Sequence, residues 1–133
     1  MTFRTLTPRI RVSGQIDAGD VAAAEALGVT LIVNNRPDGE ELGQPTSQEV
    51  GAWARDRGLD YAWIPVRGRP TPDDARALAD LMDGETRILA FCRSGMRSAA
   101  LWAMSEARDP ARSHDDIRRA AFEAGYDLSG LPL

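Results

Sequence analysis

The only cysteine of the chain, Cys92, stands in the run Phe91-Cys92-Arg93-Ser94-Gly95-Met96-Arg97-Ser98. Before it, Thr86–Phe91 is short, apolar and without a helical stripe, which reads as a buried strand. After it, Met96–Ala107 is rich in Ala, Leu, Met and Trp and reads as a helix. A thiol at such a junction meets the inward N–H groups of a small-residue loop and the positive end of the following helix. Surroundings of that kind, with arginines nearby, lower a cysteine pKa from about 8.5 to roughly 3.5–7.5. Cys92 therefore reads as a nucleophile. Arg97, with its planar fork, and Arg93 read as anion holders. Ser94 and Gly95 let the backbone turn tightly beside a ligand, and Met96 completes the anion-binding loop. Ser98 reads as a hydroxyl donor to the thiolate. The plain alternative is a buried, inert cysteine, a common state of free thiols. Two arginines flanking Ser-Gly weigh against it, because they need an anion to meet.

The rest of the chain alternates strand and helix signals. Ile10–Gly14 reads as a short first strand and turn. Asp17 or Asp20 caps a helix through Val21–Leu27, which Gly28 ends. Val29–Asn34 is a buried strand. It runs into the polar turn Asn35–Glu41 and a loop through Gly43–Thr46. Thr46 with Glu49 forms a capping box, and Val50, Trp53 and Ala54 stripe the helix to Arg57. Asp60–Val66 is the next strand, and Arg67–Pro70 its loop. Thr71, Pro72 and Asp74 open a helix whose inner face is Ala75, Leu78, Ala79 and Met82. Gly84 ends it. Ser113–Asp116 starts a last helix with Ile117, Ala120, Ala121 and Ala124 inside. Leu128–Leu133 shows no regular pattern.

This alternation argues for one α/β domain with a mostly parallel central sheet flanked by helices. Ligands of such sheets bind beyond the carboxyl ends of the strands. The loops after Asn34, Val66 and Phe91 should then share one rim. They bring Arg36, Asp38, Arg67 and Arg69 toward the Cys92 loop, and Arg36, Asp38 and Arg67 are read as anion-binding. Each has a bland alternative: Asp38 in an ordinary turn, the arginines as solvated loop charges. Trp53, Trp63 and Trp102 read as core or core edge. His114 reads as surface capping rather than a catalytic base.

Composition narrows the chemistry. The 133 residues, 43% of them hydrophobic, suit one domain with a sizeable core. A net charge of -4 argues against general nucleic-acid binding. All 16 basic residues are arginine, so lysine Schiff-base chemistry is excluded. One cysteine and one histidine are too few for a usual zinc site, and no metal or other cofactor is called for. No disulfide can form within the chain, so a reducing cytoplasm is the expected compartment. The start, Met1-Thr2-Phe3-Arg4, leads into no apolar run, so neither a leader nor a membrane span is read.

Three separated stretches carry a resemblance: Val12-Ser13-Gly14-Gln15, Asn35-Arg36-Pro37-Asp38-Gly39-Glu40 and Phe91–Ser98. Over about residues 8–108 the chain resembles the phosphatase-like domain of beta-lactamase-hydrolase-like proteins. The resemblance implies a fold like that of the cysteine-dependent protein phosphatases. Members are also described as sulfurtransferases, and some relatives are fused to a metal-dependent, persulfide-oxidising domain. The loop itself is similar to that of rhodaneses. Cysteine phosphatases place five residues between nucleophile and arginine; here four separate Cys92 from Arg97, as in rhodaneses. A residue spans at most about 3.3–3.6 Å, so the shorter loop suits a single carried sulfur better than a tetrahedral phosphoryl group. Those phosphatases also supply an aspartic acid to the leaving alcohol, worth roughly 10²–10⁴-fold. The comparable loop here, Val66–Pro70, has no acid, which leaves Asp73, Asp74 or Asp38 to substitute.

The leading expectation is a sulfurtransferase. Cys92 takes sulfane sulfur from a small anionic donor and passes it to a thiol acceptor, with a persulfide-oxidising enzyme as partner. The alternative is a phosphatase acting on a phosphate ester through a Cys92 thiophosphate. The third is a non-catalytic anion-binding or redox module.

Overall fold

A computed structural model describes residues 3–133, so Met1 and Thr2 of the start discussed above lie outside it. The described chain runs β1 (Arg4–Thr7), β2 (Ile10–Ser13), α1 (Ala18–Ala26), β3 (Leu31–Asn34), α2 (Ser47–Asp56), β4 (Asp60–Trp63), α3 (Pro72–Leu81), β5 (Ile88–Phe91), α4 (Met96–Glu106) and α5 (His114–Glu123). The strands form one sheet in the order β1-β2-β5-β3-β4. All neighbours are parallel except the hairpin of β1 with β2.

The register places the site. Ser13 pairs with Phe91, Phe91 with Asn34, and Asn34 with Trp63. Four parallel strands thus end at one level, and the loops that leave them emerge side by side. The rim expected from the sequence exists. Regular pairing of β4 stops at Trp63, short of Val66. The backbone still donates from Val66 N–H to Asn35 C=O (2.9 Å), while Pro65 has no N–H to give.

Alternation along the strands sorts the core into two layers. Leu31, Val33, Ile88 and Ala90 face Leu78 of α3, Leu101 and Trp102 of α4 and Ile117 of α5. Ile32, Leu89 and Phe91 face Val21 and Ala24 of α1 and Val50 and Ala54 of α2. Because both faces of β3 and β5 are covered, these strands read as continuous apolar runs. Each fully buried Val, Leu or Ile contributes about 1.5–3 kcal/mol.

The helix starts follow their caps. Thr46 accepts from Glu49 N–H at 3.1 Å and the Glu49 carboxylate accepts from Thr46 N–H at 3.0 Å. Thr71 with Asp74 and Asp17 with Asp20 close the same box. Ser113 caps α5, and His114 is an exposed first residue of that helix. Ala79 and Met82 are only partly buried, at the edge of the α3 face. β1 was not signalled by the sequence. It has one core side chain, Leu6, between threonines, so no periodic pattern marks it. Trp102 is core and Trp53 packs at its edge, but Trp63 stays 45% exposed. The irregular tail is nonetheless packed: Leu128 is buried, and Leu131 and Leu133 lie against the core. No helix among the described residues is long and apolar enough to cross a membrane.

Candidate active site

Cys92 follows the last residue of β5 and is fully enclosed, at 0% exposure. Its Sγ accepts a hydrogen bond from the Gly95 N–H at 3.1 Å. Gly95, the residue that caps the start of α4, has φ +96°, the left-handed region that glycine enters without strain. This conformation turns its N–H back over the thiol. Arg97, the second residue of α4, has its guanidinium held more firmly protonated, first by its bond to Glu40 and further by negative charge on Cys92.

The three stretches singled out in the sequence interlock here. Gly14 packs so close under the loop that a Cβ on it would lie 3.0 Å from the Arg93 carbonyl oxygen. Gln15 N–H donates to that same carbonyl at 3.3 Å. Arg36, only 2% exposed, donates to Gln15 Oε1 (3.0 Å), Glu40 Oε1 (3.0 Å) and Glu41 Oε1 (3.2 Å). Arg97 donates to both oxygens of Glu40, at 2.7 and 2.9 Å, and to the Val66 carbonyl at 2.7 Å. Glu40 therefore sits between two guanidinium groups. Its carboxyl is lowered to about 2, chiefly by the bond from Arg97 and also by Arg36, against the opposing effect of burial.

Several expected roles change. Ser98 does not donate to the thiolate; its hydroxyl goes to Asn35 Oδ1 at 2.8 Å, and both residues are buried. Arg36 is not open to a ligand: its donors face the protein's own carboxylates and Gln15. Asp38 accepts from Ser47 N–H at 2.7 Å and so ties the loop to the start of α2. Arg93 is exposed and paired with Glu41 at 3.4 Å rather than enclosed in the loop. Arg67 is exposed, with no hydrogen-bond or ion-pair partner among the described residues. Ser94 and Met96 are exposed at the lip. A mostly apolar groove of about 310 Å³ opens beside Met96 and Arg97, with Arg69, Pro70, Leu128 and Leu131 in its walls.

Sequence reasoning gave no site role to Gln15, Asn35 and Glu40, although they lie in the stretches that carry the resemblance, nor to Glu41 or to Tyr126, whose hydroxyl donates to the Ser94 carbonyl at 3.4 Å. Glu40 was within reach: an acidic pair four and five residues after an arginine in a polar turn is a ready internal partner for it. Tyr126 carried no local signal. Trp63 also belongs to the rim, its indole N–H donating to the Arg36 carbonyl at 3.0 Å.

Comparison with known proteins agrees with this architecture. Residues 2–109 match the family described as beta-lactamase hydrolase-like protein, phosphatase-like domain. The beta-lactamase hydrolase-like protein of Agrobacterium fabrum is 35% identical over 125 residues, covering 92% of this chain and 29% of that protein. The chain thus spans less than a third of that relative's length. A crystal structure from Neisseria meningitidis, described provisionally as a phosphatase, superposes with a TM-score of 0.85 at 29% identity, over 98% of this chain and 93% of that one. P. aeruginosa TpbA, crystallised as a Cys-to-Ser variant with phosphotyrosine, has a TM-score of 0.69 at 15% identity, over 95% and 75% of the two chains. At that identity the likeness is one of fold, that of the cysteine phosphatases.

Proposed function

The chain belongs to the phosphatase-like domain family of beta-lactamase hydrolase-like proteins; on the residues around Cys92, rather than on that membership, we propose a cysteine-dependent transferase whose carried group is a sulfane sulfur. The Cys92 thiolate attacks the outer sulfur of a donor such as thiosulfate. The S–S bond of the donor breaks, sulfite leaves with the bonding electron pair, and a Cys92 persulfide remains. An acceptor thiolate then takes the outer sulfur and returns Cys92 to its starting state. No external oxidant or reductant is needed. Arg97 exchanges Glu40 for the anionic donor, and Arg93 and Arg69 guide it from the lip.

The observation that carries this reading is the state of the nearby acids. Glu40, the carboxylate at Arg97, is ion-paired with two guanidinium groups, those of Arg36 and Arg97. The three aspartates able to substitute are engaged elsewhere: Asp38 at Ser47, Asp73 with Arg76, Asp74 at the Thr71 cap. An alcohol leaving group requires a proton; sulfite does not. The four-residue spacing of Cys92 and Arg97 adds to the argument. A free thiol as working group fits a reducing compartment such as the cytoplasm. A persulfide-oxidising enzyme is a fitting consumer of the product.

The second reading is a phosphatase that forms a thiophosphate on Cys92. The relatives favour it by their descriptions, through the Neisseria structure and the phosphotyrosine held by TpbA. Intact mass separates the two. After thiosulfate, the protein should gain one sulfur, removable by cyanide or a thiol and absent in Cys92→Ser. Absence of that adduct, with Cys92-dependent phosphate release from an aryl phosphate, would establish the phosphatase instead.

A further inference from the structure

The hydrogen bond on the Cys92 sulfur comes from one end of a single peptide unit, and the other end of that unit is held by a residue far along the chain. The Gly95 N–H that reaches Sγ at 3.1 Å shares its peptide plane with the Ser94 carbonyl. Peptide planes are rigid, with N–H and C=O pointing in opposite directions. The Tyr126 hydroxyl donates to that Ser94 oxygen at 3.4 Å. Its ring also lies against Gly95: a Cβ there would sit 2.2 Å from the phenol oxygen and 2.9 Å from the ring carbon bearing it. Glycine thus leaves the space that the phenol fills. Tyr126 is itself held, 9% exposed, with its own N–H on the Ala121 carbonyl at 2.8 Å.

We infer that Tyr126 is a positioning residue for the nucleophile, wedging and polarising the Ser94–Gly95 peptide so that its N–H is aimed at the Cys92 thiolate. A hydroxyl on the carbonyl makes the N–H at the other end a better donor, because hydrogen bonds in a chain polarise one another. The 3.4 Å separation is long for an O–H···O bond, so the wedge holds the plane at rest, and the hydroxyl bond tightens as charge develops on sulfur. Burial raises the phenol's own pKa, and negative charge on Cys92 adds to the rise, so the hydroxyl keeps its proton at neutral pH. Tyr126 lies beyond residue 109, where the family match ends. The tail after α5 therefore belongs to the working site as well as to the core.

The test reads thiol ionisation, not turnover, so its result is independent of which group Cys92 carries. Because the chain has one cysteine, the ultraviolet thiolate absorbance, corrected with Cys92→Ser, reports Cys92 alone. Other charges facing the thiol are Arg97 and, through it, Glu40, with Arg4 beside the phenol. All are unchanged in Tyr126→Phe, which keeps the ring and loses the hydroxyl. Its thiolate titration curve should move to higher pH by about half a unit to one unit. Tyr126→Leu, which also loses the wedge, should move further. Both variants are first shown to be folded by a cooperative melt; if Phe fails to melt cooperatively, the Leu curve decides. Curves that coincide with wild type would overturn the inference. A shift in Leu alone, with Phe at the wild-type position, would overturn the part assigned to the hydroxyl.

Discussion

Arg97 directs both terminal nitrogens of its guanidinium at one carboxylate, that of Glu40, at 2.7 and 2.9 Å. A fork of this kind is the usual grip on a substrate oxyanion. Here the protein's own side chain fills it, so an arriving anion must displace Glu40. Glu40→Gln keeps a neutral acceptor and removes the competing charge. Inorganic sulfate should bind this variant roughly three- to tenfold more tightly, the equivalent of about 1 kcal/mol of partly exposed ion pair. Calorimetry at constant ionic strength measures it; equal or weaker binding would refute the exchange.

The same pair predicts an acid response. The Glu40 carboxyl is depressed in the folded protein, from 4.5 to about 2. Its contribution is therefore fully present above about pH 4.5 and is lost as pH falls toward 2. Denaturation midpoints should decline more steeply across that window in wild type than in Glu40→Gln. Parallel curves would show that the pair adds nothing to stability.

Arg36 is buried, while its partners Glu40 and Glu41 reach solvent at 25% and 52% side-chain exposure, so its removal leaves partly solvated carboxylates short of one donor. Arg36→Met should lower unfolding free energy by about 1–3 kcal/mol, the range for losing hydrogen bonds to charged groups, since Glu40 keeps Arg97 and Glu41 keeps Arg93. Urea unfolding reads this directly. A loss below about 1 kcal/mol would return Arg36 to the role of a surface charge.

Ser98→Ala separates stability from ionisation. The hydroxyl serves Asn35, 2.8 Å away, and the variant leaves that buried acceptor without a donor, at about 1–3 kcal/mol. The thiolate titration of Cys92 should stay where it is in wild type. A clear upward shift would restore the contact with sulfur that the sequence reading assigned to Ser98.

Gly95→Ala meets two obstacles at once. Its φ of +96° disfavours any Cβ, and that Cβ would overlap the Tyr126 oxygen at 2.2 Å. Loss of more than 2 kcal/mol of stability, or of the Cys92 adduct in a folded variant, is expected on the order of the left-handed penalty plus overpacking. Gly95→Ala combined with Tyr126→Leu should recover part of the loss.

What the sequence made legible follows from how local each cause was. Leu31–Val33 and Ile88–Phe91 are apolar on both faces, and the Thr46–Glu49 and Thr71–Asp74 caps pair residues three apart. The Cys92–Arg97 loop carried its chemistry in eight consecutive positions. β1 was silent because one leucine among threonines has no period. Arg36 was misjudged for a different reason. An arginine in a rim loop looks alike whether its anion arrives from solvent or stands four residues away, and only the fold distinguishes them. The Ser98 hydroxyl likewise had two acceptors open to it, one of them 63 residues distant in the chain. Tyr126 acts across 32 residues through a carbonyl, a contact that no spacing rule encodes.

Trp63 half emerges from the rim while its indole N–H grips the Arg36 carbonyl, at the root of the loop that carries Glu40. The protein thereby contains its own optical gauge. Any ligand that draws Glu40 off Arg97 and shifts this loop will alter the environment of an indole already in contact with water, while Trp102 lies enclosed in the core and Trp53 packs at its edge on α2. Occupancy of the site can be followed by intrinsic fluorescence, without a label and without turnover.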